Sequence, residues 1–374
     1  MNLQDMEREA DRCVSCGLCL PACPTYKKIG SEADSPRGRI ALIRGALKGE
    51  IPMNERFVHH IDLCLACRAC ESVCPNQVGY YSLLKAVRKP IAMHSGFLER
   101  GARSALLSLL ARPSILQRLG GALGAARKII PKLDAMLPEK TAFFPEGECF
   151  HAKGREIGRV GLFLGCVARI SDSPTLEASL RVLNALGYTV IVPRRQTCCG
   201  ALHARYGEDQ SALIERNVSA FAGIDAVVGT SSACTAELEE FLPILDISSF
   251  LTAASGWENV EFRPLEEKIA VHDPCSLRNA LKAQDAPYAL LRKIPGAEVI
   301  PLGGNAQCCG SAGSYFLSQP EMANALLDDK MEKIAAGAAS VVATSNVGCA
   351  MSLRSRGVKV MHPVAILARQ LKER

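Results

Sequence analysis

Two runs of four cysteines share one spacing, C-x-x-C-x-x-C-x-x-x-C-P: Cys13, Cys16, Cys19 and Cys23 before Pro24, and Cys64, Cys67, Cys70 and Cys74 before Pro75. Thiolate sulfur is the natural ligand of soft metal centres. A tight C-x-x-C-x-x-C turn can bring three sulfurs to three corners of a cubane [4Fe-4S] core, which leaves the fourth corner to a sulfur from elsewhere. Zinc is the competing metal, but it favours four ligands in paired C-x2-C knuckles rather than runs of four. Disulfides are the other use of cysteine, and they need neither this spacing nor the trailing prolines.

In two-cluster proteins built on such runs, each run lends its last cysteine to the other run's cluster. Cys13, Cys16, Cys19 and Cys74 are therefore expected on one [4Fe-4S] cluster, and Cys64, Cys67, Cys70 and Cys23 on a second. The insert between the runs contains SPRGRI. Ser35-Pro36 can start a helix with proline in its first turn, and Ile40, Leu42, Ile43 and Leu47 supply an apolar side. This predicts a helical ferredoxin domain over residues 1–92 rather than a small β-rich one. Arg37 and Arg39 read as a solvated helix face, with a place near a cluster or at a partner surface as the alternative.

The elements that must hold these loops come from a chain of 374 residues, 48% of them hydrophobic, with net charge +6 and seventeen cysteines. That is enough for two or three ordinary cores. The N-terminal MNLQDMEREADR has no apolar signal segment, so metal-bound thiolates in a reducing cytoplasm are expected rather than a secreted disulfide framework. The uncharged stretch from Ile334 to Leu353 is broken by Ser340, Thr344, Ser345 and Asn346, and no transmembrane helix is expected. From Gly96 to Ala135, seven Lys or Arg stand against Glu99 and Asp134. Residues 93–157 are read as a basic helical linker, with peripheral contact on an anionic membrane surface as the alternative. No nucleic-acid partner is expected.

From about Gly158 onward the sequence repeats itself. GRVGLFLGC ending at Cys166 corresponds to EKIAVHDPC ending at Cys275, and GYTVIVPRRQTCCG to GAEVIPLGGNAQCCG. DAVVGTSSAC ending at Cys234 matches ASVVATSNVGC ending at Cys349, and PILDISSFL matches VKVMHPVAIL. Short β-branched runs alternate with helical segments, such as the one opening at Ser173-Pro174 with Leu176, Leu180 and Leu183 on one side. That alternation predicts parallel strands with crossover helices in two tandem α/β repeats, 158–262 and 263–374.

Each repeat carries one cysteine, an adjacent pair and one more: Cys166, Cys198, Cys199 and Cys234, then Cys275, Cys308, Cys309 and Cys349. They fall after strands, where the loops of α/β units carry chemistry. A Cys-Cys pair followed by glycine suits two sulfurs on a metal beside a closely turning backbone, so all eight are candidate ligands of one or two further iron–sulfur or zinc centres. A vicinal disulfide and buried thiols are the alternatives. Cys149 is read as an ordinary thiol.

The repeats resemble the cysteine-rich CCG domain shared by heterodisulfide reductase subunits, the anaerobic glycerol-3-phosphate dehydrogenase small subunit and lactate-utilisation proteins. With the two cysteine runs and the strings SPRGRI, CCGALH and CCGSAGSY, the whole chain is similar to glycolate oxidase iron–sulfur subunits. The resemblance departs at one point. The fullest CCG pattern ends in C-x-x-C, whereas here Glu237 and Ser352 stand where the fifth cysteine would be. Four sulfurs per repeat suit an ordinary [4Fe-4S] cluster or zinc and weigh against thiol–disulfide chemistry.

No G-x-G-x-x-G follows a strand, so neither flavin nor nicotinamide is expected on this chain. Oxidation of a 2-hydroxy acid releases a hydride, while an iron–sulfur cluster takes one electron. The resemblance thus implies an electron-transfer subunit of a glycolate or lactate dehydrogenase, with FAD on a partner subunit and quinone or another membrane acceptor downstream, cytoplasmic or peripheral on the inner face of the membrane. The alternatives are a thiol–disulfide redox subunit and an anchor subunit of glycerol-3-phosphate dehydrogenase. His203, His272 and His362, beside the cysteine loops, read as hydrogen-bonding residues, any of which could touch a quinone.

Overall fold

The structure is a computed structural model that describes residues 2–94, 97–112, 115, 144 and 147–372. It divides into two compact units, one of residues 1–105, 201–210 and 306–329, the other of residues 106–200, 211–305 and 330–374.

Up to residue 112 the described residues form helices and turns with no strand. Helix α1 (Leu3–Asp11) starts in a reciprocal cap between Asn2 and Asp5 and buries Met6 and Ala10. Helix α2 (Pro24–Ile29) opens directly behind Cys23 with its proline in the first turn, where the missing N–H costs nothing. Helix α3 (Pro36–Leu47) begins where Ser35-Pro36 predicts it, and the Ser35 hydroxyl accepts from Gly38 N at 2.9 Å. Helices α4 (Glu55–Asp62), α5 (Ala69–Ser72) and α6 (Tyr80–His94) follow. Ile40, Ile43, Phe57, Ile61, Leu83, Leu84 and Val87 close a helical core with α1. Arg39 departs from the solvated-face reading: it lies on the same stripe as Ile40 and Ile43 and is 1% exposed.

The second unit holds two sheets. Strands β2 (Gly158–Phe163), β3 (Tyr188–Val192), β4 (Val227–Gly229) and β5 (Ile244–Asp246) are parallel, and β1 (Glu148–Phe150) joins antiparallel to β3 at the edge. Strands β6 (Lys268–His272), β7 (Glu298–Pro301), β8 (Val341–Thr344) and β9 (Val360–Met361) form the other sheet, also parallel. The orders are β1-β3-β2-β4-β5 and β7-β6-β8-β9, so the repeated strands follow one topology twice. Val160, Leu162, Val190 and Val228 share one core with Ile269, Val271, Val341 and Ala343. The helix Ser173–Leu186 packs Leu176 and Leu183 into it, as the spacing behind Ser173-Pro174 predicts.

Helix α7 (Phe97–Leu110) lies inside the basic segment 93–157, most of which is outside the described residues. No helix among the described residues is long and apolar enough to cross a membrane.

Candidate metal centres

The two cysteine runs of the helical unit fold into matching loops. In the first, Ser15 and Gly17 adopt positive φ (55° and 84°), and in the second the equivalent Ala66 and Arg68 do the same (55° and 57°). Three of these four are not glycine, and each such residue costs on the order of 1–3 kcal/mol, which proteins retain where function demands the turn. The consequence is a loop that folds back around its own sulfurs. One cavity is lined by Cys13, Cys16, Cys19 and Cys74, with Arg12, Arg37 and Tyr80 among its other neighbours. A second is lined by Cys23, Cys64, Cys67 and Cys70, with Thr25, Arg39 and Tyr80. Cys70 also reaches the wall of the first, so the cavities are neighbours.

Burial pushes the Cys70 thiol well above its ordinary pKa, helped by the neighbouring sulfurs of Cys67 and Cys64, and burial raises Cys19 as well. Without a metal these sulfurs keep their protons. A cationic core supplies the charge that releases those protons, so this donor set fits iron–sulfur clusters chemically.

The surroundings of the two cavities differ in charge. Beside the first, Arg37 Nε is 2.7 Å from Glu32 and Arg12 is 3.2 Å from Glu9, all in reach of solvent. Beside the second, Arg39 donates from Nε to His60 O (2.6 Å) and from Nη1 to Thr25 Oγ1 (3.1 Å). Thr25 Oγ1 is in turn 3.2 Å from Cys23 Sγ. The Tyr315 hydroxyl of CCGSAGSY donates to Leu63 O at 2.9 Å, Arg88 and Arg205 donate to Cys64 O at 3.2 and 3.4 Å, and Arg205 stacks on the Tyr315 ring at 5.2 Å. The strings behind both cysteine pairs thus brace the Cys64 loop.

In the first repeat, Cys166 follows β2, Cys198 and Cys199 follow β3, and Cys234 sits in the helix Ser232–Leu238 behind β4. Cys166 and Cys198 bring their sulfurs to 3.4 Å, and Cys199 engages Cys198 and Cys234. The Cys166 thiol is pushed well above its ordinary pKa by its bond with Cys198 and by burial; that of Cys199 is raised by Cys198, Cys234 and burial. Four sulfurs therefore converge at the carboxyl ends of three parallel strands. In the second repeat, Cys275 and Cys349 hold the matching places behind β6 and β8, while Cys308 and Cys309 are buried in the helical unit. Cys149 stays exposed on the edge strand β1. At the positions of the fifth cysteine, Glu237 is buried and Ser352 half-buried.

His272 shares a hydrogen bond with Thr344 Oγ1 at 2.9 Å, and His362 Nδ1 accepts from Val364 N at 3.1 Å at a helix start. Burial pulls both pKa values down to about 3, which keeps the rings neutral. At 2% exposure neither offers a face to a quinone. A ring nitrogen of His272 also lies within 4.8 Å of Cys349 Sγ, a pairing that the spacing of cysteines alone did not suggest. Arg39, read from the sequence as part of a solvated helix face with a place near a cluster as the alternative, lies buried in the wall of the second cavity. Tyr315 and Arg205 act across more than a hundred residues, and no periodicity announces them.

Replacing Cys74 by serine provides a direct test of ligand crossing: the cluster of the first run should be damaged and that of the second retained. Spectra and iron content of the anaerobically prepared protein check this, and loss confined to the second run's cluster would refute the crossing.

Residues 9–78 match the family described as a 4Fe-4S dicluster domain, and residues 160–239 and 269–354 each match the cysteine-rich domain. The chain is 32% identical to the probable glycolate oxidase iron-sulfur subunit of Bacillus subtilis (strain 168), over 93% of this chain and 89% of that protein. It is 31% identical to the glycolate oxidase iron-sulfur subunit of Escherichia coli (strain K12), over 96% of this chain and 94% of that one. Lactate utilization protein A of Bacillus velezensis (strain DSM 23117 / BGSC 10A6 / LMG 26770 / FZB42) is 26% identical over 56% of this chain and 98% of its own length.

Proposed function

The chain belongs to the family of glycolate oxidase iron–sulfur subunits, and from that premise we propose that it carries electrons singly from the FAD of a partner 2-hydroxy acid dehydrogenase subunit towards quinone. The observation that carries this reading is the pair of neighbouring cavities, one lined by Cys13, Cys16, Cys19 and Cys74 together with Cys70, the other by Cys23, Cys64, Cys67 and Cys70. On this reading Cys13, Cys16, Cys19 and Cys74 hold one [4Fe-4S] cluster and Cys64, Cys67, Cys70 and Cys23 the other. Such clusters supply one-electron capacity and no hydride acceptor. The protein's part is to hold the thiolates, bury them unequally and set the charge around them.

The convergence of Cys166, Cys198, Cys199 and Cys234 supports a further metal centre in the first repeat. For Cys275, Cys308, Cys309 and Cys349, support comes from the repeated pattern. If these are redox centres in series with the clusters, Cys198→Ser and Cys308→Ser should each leave the cluster signals of the helical unit intact and slow reduction of quinone. A purely structural pair would instead lower the melting temperature while the folded protein kept its rate. The test of the whole reading is co-purification of a flavoprotein and assay of the complex with glycolate, D-lactate, L-lactate and glycerol 3-phosphate. Oxidation of glycerol 3-phosphate alone would overturn it.

A further inference from the structure

The cavity of Cys23, Cys64, Cys67 and Cys70 has a buried positive charge in its wall that its neighbour lacks. Resting on the two-cluster reading, we propose that Arg39 is the counter-charge that allows the more buried of the two clusters to take up an electron. Each four-thiolate cluster becomes more negative by one charge on reduction. Burial disfavours the more highly charged form, and a nearby cation favours it. Cys23 and Cys64 are buried, whereas Cys16 on the other cavity is exposed. Burial alone would therefore make the Cys23/Cys64 site the harder one to reduce.

Arg39 is placed to offset this. Its guanidinium is 1% exposed and lines the cavity. Through Thr25 Oγ1, 3.1 Å from Nη1 and 3.2 Å from Cys23 Sγ, it lies one hydroxyl away from a ligand sulfur. Its nearest carboxylate, Asp34, stands 3.6 Å from Nη2, and Asp34 Oδ1 is also 2.8 Å from His60 Nδ1. Nη2 has no hydrogen-bond partner among the described residues. A buried cation so incompletely matched is costly to keep. Burial pulls its pKa down, yet Cys64, Tyr80, Cys23 and Asp34 outweigh this and raise it. Arg12 and Arg37, on the other cavity, are each paired with a glutamate and wetted by solvent, so their charge is screened.

The purely structural alternative is that Arg39 only ties α3 to α2 and α4. The two roles separate in a redox titration of the whole chain, loaded anaerobically, with dithionite supplying the single electron per cluster and paramagnetic resonance reading each couple. Arg39→Gln should make one couple at least about tenfold harder to reduce, a shift of about 59 mV for one electron, and leave the other in place. Arg39→Lys, which keeps the charge, should stay near the parent. Asp34→Asn, which removes the opposing charge, should move the same couple upward, a direction that loosened packing does not give. Unmoved couples in Arg39→Gln, an equal shift of both, or an Arg39→Gln protein that fails to load together with no upward shift in Asp34→Asn would overturn the proposal. An iron count short of two clusters in the parent protein would overturn the two-cluster reading first and is distinguished by that count alone.

Discussion

Purified alone, the chain is expected to oxidise no 2-hydroxy acid, and a complex stripped of it should still reduce its flavin with substrate but pass electrons to quinone only at the background rate. The cause is a mismatch of electron number. Removing hydrogen from an α-carbon delivers two electrons as a hydride, while cysteine-bound iron centres accept one at a time. The intermediate acceptor must sit on another subunit, and centres arranged in series leave no bypass when this chain is missing. Stopped-flow observation of flavin reduction beside steady-state quinone reduction checks both halves. Turnover of glycolate by the isolated chain with an artificial acceptor would refute this division of labour.

Gly38→Ala is expected to be strongly damaging to the helical unit. A Cβ at this position would lie 1.9 Å from Glu32 O, a backbone atom of the tight turn Glu32–Asp34. The nearest atoms are backbone rather than a flexible side-chain end, so the turn itself must move, at a cost on the order of 1–3 kcal/mol or more. The displacement also pulls at the Ser35 cap and at Asp34, which neighbours Arg39. Loss of iron from the Cys23/Cys64 site should accompany a lowered unfolding midpoint. Unchanged denaturation and iron content would show that the turn accommodates the methyl group.

The parts of the molecule legible in the sequence are those encoded by local spacing. The two cysteine runs, the helix start at Ser35-Pro36 and the doubled strand pattern all rest on residues a few positions apart, where geometry leaves few choices. The second cavity's charge was not legible in this way. Arg39 resembles any solvated helix arginine until α4 and Thr25 close over it, and burial of a cation is decided by tertiary neighbours. The bracing of the Cys64 loop by Tyr315 and Arg205 was equally hidden, because a hydrogen bond to a carbonyl 252 residues away leaves no mark on either segment. The histidines illustrate the reverse case: His362, read from its place beside a cysteine loop as a hydrogen-bonding residue, is a neutral helix cap.

Residues 201–210 and 306–329 belong to the same compact unit as the first 105 residues. During translation, that unit cannot be completed when its helices leave the ribosome, because Tyr315 and Arg205 are still unmade. At about 5–20 residues per second, the wait for the last of these segments is on the order of ten seconds or more. The Cys64 loop therefore emerges long before its braces. Completion of that unit is thereby tied to the synthesis of residues 306–329, so a nascent chain stalled before residue 306 should present an incompletely packed Cys64 loop.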